Sequence, residues 1–230
     1  MAQIRISEIF SSLQGEGLLC GTPSTFIRTS GCNLRCWFCD TRYASWEPEG
    51  DYWSADQLLH QCQQLEQSHV VITGGEPMVF NAMPELCRLL REHEFHITIE
   101  TAGTVHHSLQ CDLMSLSPKL NNSTPLESGK ELQVKHDRRR HRPDIVQKLM
   151  QEHEYQLKFV VDGAADGEEV LGYLDLLSDV DMERVLIMPQ GTTSEALAKQ
   201  AEWLLPWCAK HQLRFCPRSH IEWYGNKRGT

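Results

Sequence analysis

Apolar positions recur along this chain with two different periods. Short runs alternate polar and apolar residues or are apolar throughout. Between them lie longer stretches with an apolar residue every three or four positions. The first pattern predicts strands and the second amphipathic helices. Strands are expected at residues 4–9, 25–28, 70–73, 96–101, 113–117, 157–161, 185–188 and 213–216. The helical faces are Leu58, Leu59, Cys62 and Leu65, then Met83, Leu86, Cys87, Leu89 and Leu90. Two more follow, Ile145, Val146 and Leu149, and Val170, Leu171, Leu174 and Leu177. The first helix starts on Ser54-Ala-Asp-Gln57, a capping box. A last helix is expected over residues 194–211, where Pro206 should remove one backbone bond and kink the axis.

Such β-α alternation implies parallel strands joined by right-handed crossovers. About six units fall short of the eight of a closed barrel, so an open or partial β/α barrel with outer helices is expected. Ligands of such sheets sit at the carboxyl ends of the strands. That rule places functional loops after Arg28, Thr73, Thr101 and Met188. Residues 120–142 break the pattern: they are polar and charged, with Asn121-Asn122-Ser123 and Arg138-Arg139-Arg140. A solvated loop or short exposed helix is expected there, with a mobile cover over the site as the sharper alternative.

The chain has 230 residues, enough for one domain spanning 1–230. A net charge of −9 argues against a dominant nucleic-acid or anionic-membrane surface. No apolar run approaches the roughly 18–20 residues that span a bilayer. The opening residues lack the apolar core of a signal peptide, so a cytoplasmic location is expected. Nine cysteines, an odd number, suit reduced thiols plus a metal site better than a disulfide framework.

Cys32, Cys36 and Cys39 stand in the spacing C-x3-C-x2-C just after the second strand. Tetrahedral structural zinc and ordinary iron–sulfur clusters take four protein ligands. The other cysteines (Cys20, Cys62, Cys87, Cys111, Cys208, Cys216) are scattered and supply no obvious fourth. Three thiolates on one loop leave a metal corner open. A second motif, Val70-Val-Ile-Thr-Gly-Gly-Glu-Pro77, is a strand ending in a turn whose two glycines let the backbone approach a ligand closely.

The cysteine trio, with Phe38 before its last member, resembles the signature of the radical S-adenosylmethionine (radical SAM) enzymes. The Gly-Gly-Glu-Pro stretch resembles that superfamily's second motif. Within it, Leu13-Gln14-Gly15-Glu16-Gly17, Cys39-Asp40-Thr41, Ser117-Pro118-Lys119 and the ending Gly225-Asn226-Lys227-Arg228-Gly229-Thr230 resemble the 7-carboxy-7-deazaguanine synthase family. The likeness runs from residue 8 to the last.

The resemblance implies a 4Fe–4S cluster on Cys32, Cys36 and Cys39, its fourth iron chelated by SAM. It implies SAM contacts from Phe38, Cys39, Asp40, Gly75, Ser117, Pro118 and Lys119. A Mg2+ ion would take the Thr41 hydroxyl as its protein ligand. The implied substrate is 6-carboxy-5,6,7,8-tetrahydropterin. Backbone groups of Leu13, Gln14 and Gly15 suit its ring edge, and Arg28 suits its carboxylate. Thr73 and His220 are further candidate contacts. Glu100 is open between the SAM ribose and a structural role. The C-terminal tail is expected to fold back near the site.

The implied reaction is as follows. One electron cleaves SAM to a 5′-deoxyadenosyl radical, which takes the C6 hydrogen of the substrate. The ring contracts, SAM is re-formed and ammonia leaves. A homodimer and a reductant such as flavodoxin are also implied. Two alternatives remain at this stage. A glycyl-radical-enzyme activase shares the first two motifs, but the Leu13–Gly17 stretch and the tail argue against it. A zinc-binding structural module predicts a colourless protein without iron.

Overall fold

A computed structural model of the protein describes residues 2–230. The chain opens with β1 (Ile4–Leu13) and β2 (Pro23–Thr29), an antiparallel hairpin. A four-residue helix α1 (Arg42–Ser45) and a short edge strand β3 (Asp51–Trp53) follow the cysteine loop. From there strands and helices alternate: α2 (Ala55–Gln64), β4 (His69–Gly74), α3 (Met83–Glu92), β5 (His96–Thr101) and β6 (Leu113–Leu116). Two consecutive helices, α4 (Lys130–Arg140) and α5 (Pro143–Glu152), lead to β7 (Tyr155–Val161). The chain ends through α6 (Ala164–Leu174), β8 (Val185–Pro189), α7 (Ser194–His211), β9 (Arg214–Phe215) and α8 (Ser219–Tyr224).

Among the described residues nine strands form one sheet in the order β3-β1-β2-β4-β5-β6-β7-β8-β9. Every pair from β2 onward is parallel, and β1 and β3 extend the sheet antiparallel at its first edge. This is the expected partial barrel, with a seventh parallel strand only two residues long.

Strand side chains alternate between two faces, and here the faces have different fates. Ile27, Ile72, Ile99, Leu116, Phe159 and Ile187 point into the main apolar core. Their neighbours Phe26, Thr73, Glu100, Ser115, Lys158 and Met188 point to the opposite side and line a cavity. Each fully buried aliphatic or aromatic side chain on the core face contributes roughly 1.5–3 kcal/mol. That stability leaves the inner face free to carry polar chemistry.

The capping box at Ser54 forms as expected, with Gln57 N–H donating to Ser54 Oγ at 3.2 Å and Ser54 N–H to Gln57 Oε1 at 2.8 Å. Helix α7 runs unbroken through Pro206. That residue and Glu202 four positions earlier are exposed, so the carbonyl deprived of its donor meets water. Segment 120–142 is more ordered than its composition suggests. A 3-10 turn, Asn121–Ser123, precedes α4, whose His136 is buried. Among the described residues no helix is long and apolar enough to cross a membrane.

Candidate active site

A cavity of about 550 Å3 opens at the carboxyl ends of the parallel strands, within the range usual for small-molecule sites. The loops after Arg28, Thr73, Thr101 and Met188 all reach it. So do all the residues singled out from the sequence for the cluster, SAM, Mg2+ and substrate, except Pro118. Pro118 is buried in its turn, where its fixed φ shapes the backbone between Ser117 and Lys119. Those two meet directly, Lys119 Nζ donating to the Ser117 carbonyl and hydroxyl oxygens, each at 2.7 Å.

The cysteine loop is seated on the glycine turn after β4. Gly31 N–H donates to the Ala44 carbonyl at 2.8 Å, and Glu76 N–H donates to the Gly31 carbonyl at 2.9 Å. A Cβ on Gly75 would stand 2.1 Å from the Gly31 oxygen and 2.6 Å from that of Ala44. Only glycine permits this contact. Glu76 is fully buried and accepts from Thr101 Oγ1 at 2.6 Å, Ala102 N–H at 2.8 Å and Met78 N–H at 3.1 Å. It ties the turn to the end of β5.

All three thiols face the cavity and are free. Burial pushes the Cys32 thiol up to about 12, with Glu76 adding to the shift. Burial pushes Cys36 up to about 11, while nearby Lys119 acts the other way. Metal ligation supplies the positive charge that turns such thiols into thiolates. Among the described residues no three His, Cys, Asp or Glu side chains converge on the position of a single ion. The three sulfurs share one cavity wall, a donor set that suits an iron–sulfur cluster held by thiolates. Cys39 Sγ lies 3.7 Å from Thr41 Oγ1 and 3.0 Å from Ser45 Oγ, so the Cys-Asp-Thr stretch forms one corner of the wall.

Four charges interlock at the cavity. Glu16 pairs with Lys158 and, at 3.2 Å, with Arg218 Nε; Arg218 also pairs with Asp40 and donates to the Gly191 carbonyl at 2.6 Å. Burial alone would raise both carboxyls. For Glu16 the cations Lys158 and Arg218 reverse this, for Asp40 chiefly Arg218, and both stay below the usual carboxylate range. His220 lies 3.8 Å from Glu16, and burial lowers its pKa. A Cβ on Gly15 would stand 2.5 Å from the His220 Cβ and 2.6 Å from its Nδ1, so this glycine lets α8 close onto the Leu13–Gly17 stretch.

That stretch is partly committed already. Gln14 N–H donates to the Thr22 carbonyl and its own carbonyl accepts from Gly21, while the Gly15 carbonyl accepts from Ser219 N–H. Glu100 accepts from Gln14 Nε2 at 3.2 Å and Thr73 Oγ1 at 2.7 Å. Both Glu100 oxygens are thus engaged within the chain, while the side chain still lines the cavity. Arg28 Nε donates to Glu8 at 2.6 Å, which leaves its terminal nitrogens for a ligand. The tail closes the mouth: Asn226, Lys227, Arg228 and Thr230 line it. Arg228 pairs with Glu49 and Glu8 and lies 4.2 Å over the Tyr43 ring.

Arg218, Lys158, Tyr43, Ser45 and Thr101 were not singled out from the sequence, although each lines the cavity. Lys158 carried the one usable signal, a lone charge inside the apolar run Leu157–Val161. Arg218 carried none.

This fold and cysteine loop define a radical SAM enzyme, and the family model described as Radical SAM superfamily matches residues 26–163. The 7-carboxy-7-deazaguanine synthase of Rhodopirellula baltica is 46% identical over all of this chain and 90% of its own. That of Halobacterium salinarum is 40% identical over 94% of this chain and 88% of its own. The crystal structure of QueE from Escherichia coli superposes with a TM-score of 0.68 at 25% identity, covering 95% of each chain. The chain belongs to the 7-carboxy-7-deazaguanine synthase family of the radical SAM superfamily. Its cofactors are accordingly a 4Fe–4S cluster and SAM.

Proposed function

We propose that the enzyme converts 6-carboxy-5,6,7,8-tetrahydropterin to 7-carboxy-7-deazaguanine with release of ammonia, a step in 7-deazapurine (queuosine precursor) formation. One observation carries this reading: the cysteine loop, the glycine turn, the Leu13–Gly17 stretch, His220 and the tail meet at a single cavity. When bound, the cluster and SAM supply a hydrogen-abstracting radical. The protein's own part is to bind, orient and exclude water.

In this reading Cys32, Cys36 and Cys39 hold the cluster. Phe38, Cys39, Asp40, Gly75, Ser117 and Lys119 line the SAM half, with Pro118 shaping its turn. The terminal nitrogens of Arg28 take the substrate carboxylate in a two-pronged bond. Leu13, Gln14 and Gly15 offer their remaining backbone groups to the ring edge, with Thr73 and His220 beside them. Thr41 would hold a Mg2+ ion through its hydroxyl. When bound, the ion would supply positive charge beside the Thr41 hydroxyl. An outside one-electron donor such as flavodoxin completes the system.

The test is anaerobic incubation of cluster-loaded enzyme with substrate, dithionite, Mg2+ and a tenth of an equivalent of SAM. Deazapurine absorbance and ammonia should appear in equal amounts and exceed the SAM added. An intact cluster without any deazapurine would sink the proposal. Thr41→Ala should keep its iron and lose at least about tenfold in kcat/KM, with a raised Mg2+ requirement.

A further inference from the structure

The cysteine loop is braced from outside by the charged segment after β6. Trp37 N–H donates to the Ser123 carbonyl at 3.2 Å, and the Trp37 indole donates to the Asn122 carbonyl at 2.6 Å. Arg139 donates to the Asn33 carbonyl at 3.0 Å. At the centre of this contact lies His136, 2% exposed. Its Nδ1 is 3.0 Å from Arg35 N, and its Nε2 is 2.9 Å from Ser123 Oγ. The Ser123 hydroxyl in turn donates to the Leu120 carbonyl at 2.6 Å.

These partners fix the tautomer. A backbone amide can only donate, so Nδ1 must be the acceptor and the proton sits on Nε2. The Ser123 hydroxyl spends its hydrogen on Leu120, so its oxygen receives that proton. The chain is complete and one-directional: Arg35 amide to His136 to Ser123 to Leu120. It starts at Arg35, the residue immediately before Cys36 and three after Cys32. The Arg35 guanidinium also donates back to the Cys32 and Leu34 carbonyls at 2.7 and 2.6 Å.

We propose that His136 is a positioning residue for the iron–sulfur cluster: as a neutral Nε2–H imidazole it anchors the Arg35 amide and so pre-sets Cys32 and Cys36 at the cavity wall. This rests on the reading of the three cysteines as cluster ligands. Partners that orient a ligand loop typically matter by 10–100-fold in metal retention. In this view segment 120–142 is a buttress of the metal site and not a lid over it.

The test compares wild type with His136→Phe, His136→Asn and Ser123→Ala after anaerobic cluster loading. Cluster loss to an iron chelator is followed by absorbance, and folding is followed by far-ultraviolet circular dichroism. His136→Phe keeps the ring volume and removes the acceptor, and should lose its cluster at least about tenfold faster. His136→Asn places a carbonyl oxygen near the Nδ1 position and should stay within about threefold of wild type. Ser123→Ala, which frees the tautomer and also removes a hydroxyl bonded to the Cys36 thiol, should fall between them. If His136→Phe does not fold, the order of the other two still decides. Equal cluster retention in every folded variant would overturn the proposal, as would Asn failing to rescue where Ser123→Ala has no effect. A wild type that takes up no iron–sulfur cluster would instead refute the ligand reading beneath it.

Discussion

Glu16 shows how much a single side chain settles in this site. It is the common partner of Lys158 and Arg218, whose side chains are 6% and 9% exposed. Removing it strands the buried Lys158 and leaves Arg218 with Asp40 alone, and broken buried pairs cost about 3–5 kcal/mol. Glu16→Gln should therefore lower the unfolding free energy by that amount in a urea titration of the cluster-free protein. His136 gives a pH prediction of its own. Burial holds its pKa down to about 4, with Asp137 acting upward and Arg140 and Lys119 downward. The unfolded chain takes up the proton near pH 6.5, before the folded one does. Stability is thus intact above pH 6.5 and falls as the pH drops toward 4, by up to roughly 3 kcal/mol. His136→Asn should flatten that part of the profile.

At the scale of elements, the division of each strand into a core face and a cavity face explains which substitutions matter. Phe159→Ala on the core face should cost about 3–5 kcal/mol. The glycines make a sharper pair. Gly75→Ala drives a Cβ into the backbone of the cysteine loop and should cost about 1–3 kcal/mol together with iron content. Gly172→Ala, in α6 with open space around it, should be neutral or gain up to about 1 kcal/mol. Thermal melts with iron assays check both. All strands but β3 were legible in the sequence because most apolar runs end near a Gly or Pro, and the cysteine loop because its spacing is specific. Helix α4 was legible only as one of two choices, loop or exposed helix, since its sequence Lys130–Arg140 has no apolar stripe. It is held by polar contacts through His136 and Arg139, which no periodicity reports. Arg218 stayed hidden for a related reason: its partners lie 178 and 202 residues away.

At the scale of the whole molecule, the two ends of the chain build one site. The hairpin of β1 and β2 supplies one wall, and α8 with the tail supplies another. Arg228, 48% exposed at the mouth, contributes no more than about 1 kcal/mol through its pairs. Deleting residues 226–230 should leave the melting temperature nearly unchanged and raise the substrate KM about tenfold. That split would separate a binding role from a structural one. The interlocked quartet of Glu16, Asp40, Lys158 and Arg218 has a consequence for ionic strength. Its two negative and two positive charges cancel, and its ion pairs are largely shut away from mobile ions, which screen exposed charges far more than buried ones. Salt should loosen the tail's grip at the mouth well before it disturbs the interior. Between low salt and about 0.5 M, the enzyme should bind its ligands less tightly yet hold its cavity in the same shape.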